Sequence, residues 1–552
     1  MIKRAIRGGV GVFRQKTPFA RRFAKDEDGA VFTLFVLLGF IVILATTGIG
    51  VDMMNHERDR ASLQAALDRA VLAAADLEQE LPPAQVVADY LEKSNVRGSL
   101  VADPVVEIGL GSRRVTAEAL VVVPTHFMRF SGVDTLNAIA TSSAEESVES
   151  VEISMILDMS GSMRWPSAED GKTKIQVLRD AAKRFVTLMY EQNDASDVSI
   201  SIVPYATQVN AGAAIIDQFP NVSSEHNFSH CVNFPASQFS NAALSPDDTL
   251  DRTAHFDIWS VSRNPIRFPV CPTRAGSEIT AVTDNVAQLH DAIDALTPDG
   301  NTSIDTGVKW GAALLDPQFR PIIETLATDD TVPADKVVPA KFKERPLNYD
   351  GDVLKVMIVM TDGQNTEQFR LRDRYRSGNS GVWYNPDFNS TGEFSALRST
   401  DPDEFSWTFQ NTDGNSHPYG ELRSEPGTAT QLTFPELFNL TSLRWNARFN
   451  YDLPRDRENQ WVSSTYNTID RSVKNERTQS ICSAVKDSGV VVFGIAFEAP
   501  VVGLETIRGC ASTPQSHVYA VNSDGSLGGN NLSLEEAFES IAASIKTLRL
   551  TQ

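Results

Sequence analysis

The sequence predicts an α/β protein in three parts: a single membrane-spanning helix, a small α/β unit next to it, and a doubly wound sheet domain carrying two long insertions. Three observations lead there. A run of 22 residues without a charge occupies Ala30 to Val51. From about residue 150 onward, short apolar strands alternate with amphipathic helices, the pattern of a sheet covered on both faces. Between them, residues 52–149 are helix-forming first and strand-forming later. A chain of 552 residues is long enough for two to four such parts.

At 1.5 Å per residue the uncharged run matches a hydrocarbon core of about 30 Å. Residues 1–29 carry eight basic and three acidic side chains, so the rest of the chain holds −26 of a total of −21. Positive charge before the run places residues 1–29 in the cytoplasm and everything after Asp52 across the membrane. A cleaved secretory signal is the rival reading. Asp26, Glu27 and Asp28 abut the run, the run is long, and no clear A-x-A site follows, so an uncleaved anchor is expected. The acidic balance excludes a general nucleic-acid binder, which needs Lys and Arg for phosphates.

Residues 57–76 continue as strong helix formers without Gly or Pro. Leu63, Ala66 or Leu67, Ala70 and Ala73 or Ala74 recur at helical spacing. Two readings of this small-residue face stay open: a surface for another helix, or an Ala-rich seam on an exposed stalk. Pro82-Pro83 ends the stretch, 84–95 reads as a short helix, and 100–147 reads as strands, clearest at Val115 to Pro124 and Leu136 to Thr141.

In the region 150–552, strands are expected at Ile153–Leu157, Val198–Ile202, Leu354–Met360 and Val490–Phe497, with a last edge strand at His517–Ala520. Helix faces are marked by Ile175, Leu178, Ala182, Phe185 and Met189, and by Val286, Leu289, Ile293 and Leu296. Ser533 with Glu536 forms a capping box for a terminal helix. Two stretches, about 219–277 and 367–475, break the alternation. The second is rich in aromatics, among them Tyr375, Trp383, Tyr384, Phe388, Trp407 and Phe409. Two roles stay open for them: a contact surface for a partner, or the core of a subdomain. No internal repeat is evident.

Of the four cysteines, Cys231 and Cys271 fall in one region and Cys482 and Cys510 in another. Two local disulfides suit an oxidising compartment, although three pairings and four reduced thiols are formally open. His226 and His230 beside Cys231 have no fourth partner for zinc, so a loop with a disulfide is expected there.

The chemistry concentrates where strands end. The first strand runs into Asp158-Met159-Ser160-Gly161-Ser162, Gly300-Asn301-Thr302 precedes a helical pattern, and the strand 353–360 ends in Thr361-Asp362-Gly363. In an open α/β sheet, groups at the C-terminal ends of strands converge in one crevice. Two carboxylates and three hydroxyls form an all-oxygen set suited to a hard cation, Mg²⁺ before Ca²⁺ or Mn²⁺. The alternative is that Asp158, Ser162 and Asp362 merely cap helices.

These residues resemble the metal-ion-dependent adhesion site of von Willebrand factor A domains, with D-x-S-x-S at Asp158, Ser160 and Ser162, the distant threonine at Thr302 and the later aspartate at Asp362. The resemblance implies that Ser160 and Ser162 bind the metal directly. It implies that Thr302 binds directly or through water, and that Asp158 and Asp362 act largely through waters. One coordination position is left for an acidic residue of a protein partner. Asn301 stands where the family often has a second glycine.

The outer parts are similar to the TadG-like proteins of Flp/Tad pilus assembly. The similarity runs through Asp28-Gly29, Gly50-Val51-Asp52, Leu63 to Ala73, Val123-Pro124-Thr125, and the surroundings of Cys482, Gly489, Cys510-Ala511 and Leu548. It implies a pilin-like helix joined to a periplasmic von Willebrand A domain in the bacterial inner membrane. The fifth residue after Gly29 is Leu34 where pilin precursors carry Glu, so a permanent membrane protein is expected, not a processed major pilin. The implied function is non-enzymatic: an assembly or secretion-associated factor that binds pilus or secretion-machinery subunits. The alternative is a surface adhesin using the same site on host or matrix protein. A hydrolase is disfavoured because no motif places a general base or nucleophile.

Overall fold

The structure is a computed structural model and describes residues 28–548 except 77–78, 80, 110–111, 148–149, 169–170, 192–197, 350–352, 389–392, 399–402, 411 and 522–531. The basic segment expected at 1–29 lies outside the described residues apart from Asp28 and Gly29. The chain divides into two compact units, Met1–Ser147 with the last three residues, and Val148–Arg549.

The first unit is built on one continuous helix, α1 (Asp28–Ala75). From Phe32 it is long and apolar enough to cross a membrane, and it is the one such helix among the described residues. Its apolar first part is exposed, as at Phe32, Phe35, Leu38 and Phe40. The later part is buried on one side. Leu63, Leu67, Ala70, Val71 and Ala74 pack on the inner faces of β3 (Ser112–Pro124) and β4 (Thr135–Ser147), and on Val86 and Val87 of the short helix α2 (Pro83–Lys93). The Ala-rich face is thus neither exposed nor kept for a foreign helix. The strands supply its partner, because Val115, Ala117, Ala119, Val121 and Val123 alternate toward it as a pleated strand requires. β3 pairs antiparallel with β4 along its whole length, and on its other edge with β1 (Ser99–Leu100) and β2 (Val105–Gly109).

The second unit centres on a six-stranded sheet in the order β10-β9-β8-β5-β6-β7, formed by β5 (Ser150–Asp158), β6 (Val198–Tyr205), β7 (Thr280–Thr283), β8 (Val353–Thr361), β9 (Val491–Phe497) and β10 (Val518–Val521). All neighbours are parallel except β6 and β7. The edge strand β7 has no apolar run to announce it, and it follows directly on the first insertion. The alternating residues of β5 and β8 feed two cores. Val151, Ile153, Met155 and Leu157, with Leu354, Val356, Ile358 and Met360, face α3 (Lys174–Glu191), α4 (Val286–Ala295) and α11 (Leu534–Leu548). Ile156, Met357 and Val359 face α5 (Ile304–Ala313), α9 (Arg471–Asp487) and α10 (Val501–Cys510). Helices on both faces make the sheet doubly wound. The Ser533–Glu536 capping box opens α11.

The insertions fold together. The second, which helix α6 (Arg320–Thr328) precedes, contains a five-stranded antiparallel sheet spanning residues 379–433, the two helices α7 (Phe434–Leu440) and α8 (Arg455–Thr465), and the short helical turn Leu443–Trp445. Ala254, Phe256, Ile258 and Val270 of the first insertion share one core with Val382, Phe394, Leu437, Phe438 and Trp445 of the second. Phe394 and Trp445 pack at a tilt within it, with ring centroids 5.2 Å apart. Of the aromatics singled out above, Tyr375, Tyr384, Trp383 and Trp407 are half-buried and engage neighbouring rings, so the subdomain-core reading fits them. Disulfides join Cys231 to Cys271 and Cys482 to Cys510.

Candidate functional site

Between β5 and β8 the chain order of the sheet reverses direction, which opens a crevice at the strands' C-terminal ends. Asp158 is the last residue of β5 and Asp362 directly follows β8, so both carboxylates arrive at this point. After Asp158 the chain turns through Ser160 into a 3₁₀ turn, Gly161–Arg164. Two neighbouring segments hold that turn: Met159 N–H donates to Tyr205 O at 2.9 Å, and Gly161 N–H to Gly300 O at 2.9 Å. Gly300 has φ +80°, and a Cβ there would stand 2.6 Å from Thr207 Oγ1. Glycine is therefore required at this position both by the left-handed backbone and by the close approach.

The five residues come together. Ser162 Oγ donates to Asp362 Oδ1 at 2.6 Å and lies 3.2 Å from Ser160 Oγ. Asp158 Oδ1 accepts Ser160 N–H at 2.7 Å, and its Oδ2 accepts the hydroxyls of Thr361 at 2.8 Å and Tyr205 at 3.3 Å. Thr302 lies with Ser162 and Asp362 on one open cleft of about 590 Å³, which Trp165, Lys174 and Glu498 also line. The carboxylates do not serve as helix caps. Asp158 ties down its own turn, and β8 leads into a loop and the strand 368–371, not into a helix as the junction pattern suggests.

The two carboxylates of the cluster, Asp158 and Asp362, oppose each other's ionisation. Burial, and then the neighbouring charge of Asp362, push the Asp158 carboxyl up to about 7. Burial and Asp158 also push the Tyr205 phenol up, so it remains a donor. The donor set is all oxygen. The two hydroxyls of Ser160 and Ser162 stand 3.2 Å apart, close to the roughly 2.9 Å between adjacent oxygens of an octahedral Mg²⁺ shell with bonds near 2.05 Å. These residues fit a hard divalent cation. With both its oxygens already accepting hydrogen bonds, Asp158 is left to orient the turn.

Several participants are not legible as a motif. Lys174, the first residue of α3, is buried and places Nζ 3.0 Å from Asp362 Oδ2 and 3.6 Å from Glu498. Glu498 follows β9 with φ +49°, a left-handed conformation uncommon for a non-glycine, and accepts from Ser167 Oγ and Ala168 N–H. Lys474 of α9 is fully buried and donates to Thr302 O at 2.8 Å, Ser303 Oγ at 2.6 Å and Thr366 O at 2.8 Å. It fixes the Thr302 loop from below, and burial draws its ammonium down to about 8. Asn301, the departure noted above, donates through Nδ2 to Glu367 O and so ties that loop to the segment after Asp362. No single-residue signal marks these lysines. The sheet order brings them in from 12 and 172 positions beyond the motif residues Ser162 and Thr302.

The pairing of Cys231 with Cys271 removes it from any zinc site, and His226 Nε2 engages Thr253 O. Among the described residues no group of three His, Cys, Asp or Glu side chains is placed to hold a metal.

Comparison with known proteins gives a family match over part of the chain and a set of distant folds. Among solved structures, the pilus adhesin SpaC from Lactobacillus rhamnosus GG aligns with TM-score 0.28 and 13% identity over 82% of this chain and 35% of its own. This chain thus spans about a third of that adhesin's length. The von Willebrand factor domain of the type V pili tip protein Mfa5 from Porphyromonas gingivalis aligns with TM-score 0.28 and 14% identity, over 72% and 95% of the two chains. The PilB minor pilin from Streptococcus sanguinis gives TM-score 0.29 and 11% identity over 81% and 78%. At these scores the likenesses add nothing to the strand order described above. No curated protein matches the sequence. Residues 29–77, the helix α1 and its end, match the family model described as putative Flp pilus-assembly TadE/G-like.

Proposed function

We propose that this protein is a membrane-anchored, non-enzymatic component of a pilus-assembly or secretion system that binds a protein partner through a divalent cation. α1 anchors it in the bacterial inner membrane, with residues before the apolar run in the cytoplasm and the second unit in the periplasm. The family match over 29–77, the apolar helix and the two disulfides support that placement. One observation carries the binding role: Ser162, Thr302 and Asp362 line one open cleft at the sheet's reversal point, with Asp158 and Ser160 hydrogen-bonded into the same cluster just beneath it.

In this reading Ser160 and Ser162 would hold Mg²⁺ directly, Thr302 directly or through water, and Asp158 and Asp362 largely through water. The ion supplies a Lewis-acidic position for a carboxylate of the partner. Neutral hydroxyl ligands leave the ion short of negative charge, which favours an incoming Asp or Glu. Lys174 adds a second positive charge at the cleft, facing Asp362 and Glu498. The test is capture from cross-linked cells with the intact protein and with Asp158→Ala, each with Mg²⁺ and with chelator. Pilus or secretion subunits should be recovered only with metal and an intact Asp158. Equal recovery under all four conditions overturns the metal-dependent reading.

A further inference from the structure

The turn between β3 and β4 lies across α1 at the level where that helix changes from apolar to charged. Asp52 is the first charge after the uncharged run, and it is buried. Its carboxylate accepts the backbone N–H groups of His126 at 2.9 Å, Phe127 at 2.8 Å and Met128 at 2.7 Å. One helical turn inside the apolar run, Gly48 makes room for the Phe127 ring: a Cβ at 48 would stand 2.4 Å from its Cγ. Two independent contacts, one polar and one apolar, therefore pin the turn at a fixed height on the helix.

The pinned turn displays aromatic surface. Phe130 is 92% exposed and Phe127 44% exposed, with Arg129 exposed between them and paired at the surface with Asp134 at 3.2 Å. Phe130 N–H donates to Phe127 O at 3.1 Å, so Phe130 lies within the 3₁₀ turn Met128–Ser131 and Phe127 caps its start. An ordered turn that holds a phenyl ring almost wholly in water forgoes about 25 cal/mol for each Å² of apolar surface it leaves uncovered. The same ring at the edge of a bilayer lies in the zone that aromatic side chains favour, and an arginine next to it reaches the phosphates.

We propose that the 125–132 turn is a second membrane contact, in which Phe127 and Phe130 enter the interfacial layer of the bilayer and Arg129 meets lipid phosphate. The inference rests on the reading of α1 as membrane-spanning. The turn continues the lipid-facing surface of α1 at its boundary, and this continuity favours lipid over a protein as the occupant. The contact fixes the depth and rotation of α1, because Asp52 and Gly48 tie the turn to the helix.

The test uses the full chain in liposomes of phosphatidylethanolamine and phosphatidylglycerol, with one nitroxide attached at Phe130→Cys. The four native cysteines are paired, so the introduced thiol is the one labelled. Collision rates with oxygen, which partitions into lipid, and with a water-soluble nickel chelate are compared with those at Phe40→Cys inside the run and Leu72→Cys beyond it. All three positions are exposed, so the labels are tolerated. The expected oxygen-to-nickel ratio at 130 is at least threefold above that at 72 and below that at 40. A ratio equal to that at 72, with a lipid-like value at 40, overturns the proposal. Low access to both quenchers at 130 overturns it in favour of a protein contact. A water-like value at 40 overturns the membrane reading of α1 itself.

Discussion

Without a divalent cation, the Asp158 carboxyl makes the second unit less stable as pH rises. Its folded pKa of about 7 exceeds the ordinary 3.8 because burial and the charge of Asp362 oppose ionisation. An acid raised in the folded state contributes stability that is complete below pH 3.8 and is lost as pH climbs through 7. The full contribution is about 4 kcal/mol, of which roughly 2.5 kcal/mol disappears between pH 5 and pH 8. At about 2.1 cal/mol/K per residue, a unit of about 400 residues shifts Tm by about 1.2 °C per kcal/mol, so the expected loss is about 3 °C. The reference is Asp158→Asn, which removes the charge at nearly constant volume and leaves hydroxyls at Thr361 and Tyr205 that can rotate to accept. Differential scanning fluorimetry in chelator should show the intact protein falling about 3 °C relative to that variant between pH 5 and 8. Mg²⁺ should restore the difference at pH 8 and have little effect at pH 5, where the carboxyl is protonated. Parallel pH curves for the two proteins in chelator, or an equal Mg²⁺ shift for both at pH 8, would refute the reasoning.

Two further outcomes test other parts of the structure. Lys174→Met removes the ammonium 3.0 Å from Asp362, and titration calorimetry should show Mg²⁺ binding tightened roughly tenfold or more; unchanged or weaker binding rules out a competing charge at the cleft. Lys355 and Glu152 form a buried cross-strand pair on β8 and β5 with N–O 2.5 Å, and Lys355 also donates to Leu315 O. Lys355→Met should cost about 3–5 kcal/mol by leaving Glu152 unpaired, or about 4–6 °C in Tm, and adding Glu152→Gln should recover most of it; a single variant within 1 °C of the parent contradicts that account.

The parts of the fold written in local periodicity were legible in the sequence. The apolar run, the strands at 153–157 and 354–360, the Ser533–Glu536 box and the D-x-S-x-S turn each announce themselves within a few residues. Contacts that depend on distant partners were not. The Ala-rich face of α1 looked the same whether it met a foreign helix, water or the strands at 112–147. Lys174 and Lys474 read as ordinary helix lysines. They become participants only because α3 and α9 start or pass beneath the cleft, and nothing near them in sequence states that. β7 was hidden for a related reason: four residues of mixed polarity form a strand only when Ile200 and Ile202 of β6 offer an edge. The insertions were visible as long interruptions, but not their common core, since Phe256 and Phe394 are joined by packing alone.

That common core makes the two insertions one structural unit. The second leaves and re-enters the sheet domain through adjacent strands, Gln368–Leu371 pairing antiparallel with Tyr466–Ile469, so by itself it resembles a cassette with its ends clasped together. Asn264 N–H bonded to Leu440 O, and Leu443 N–H bonded to Asp257 O, tie that cassette to the other insertion. Deleting either one would strip the apolar cover from its counterpart. A chimera that swaps one insertion alone would therefore carry an open hydrophobic face where Phe256 and Phe394 now share a core.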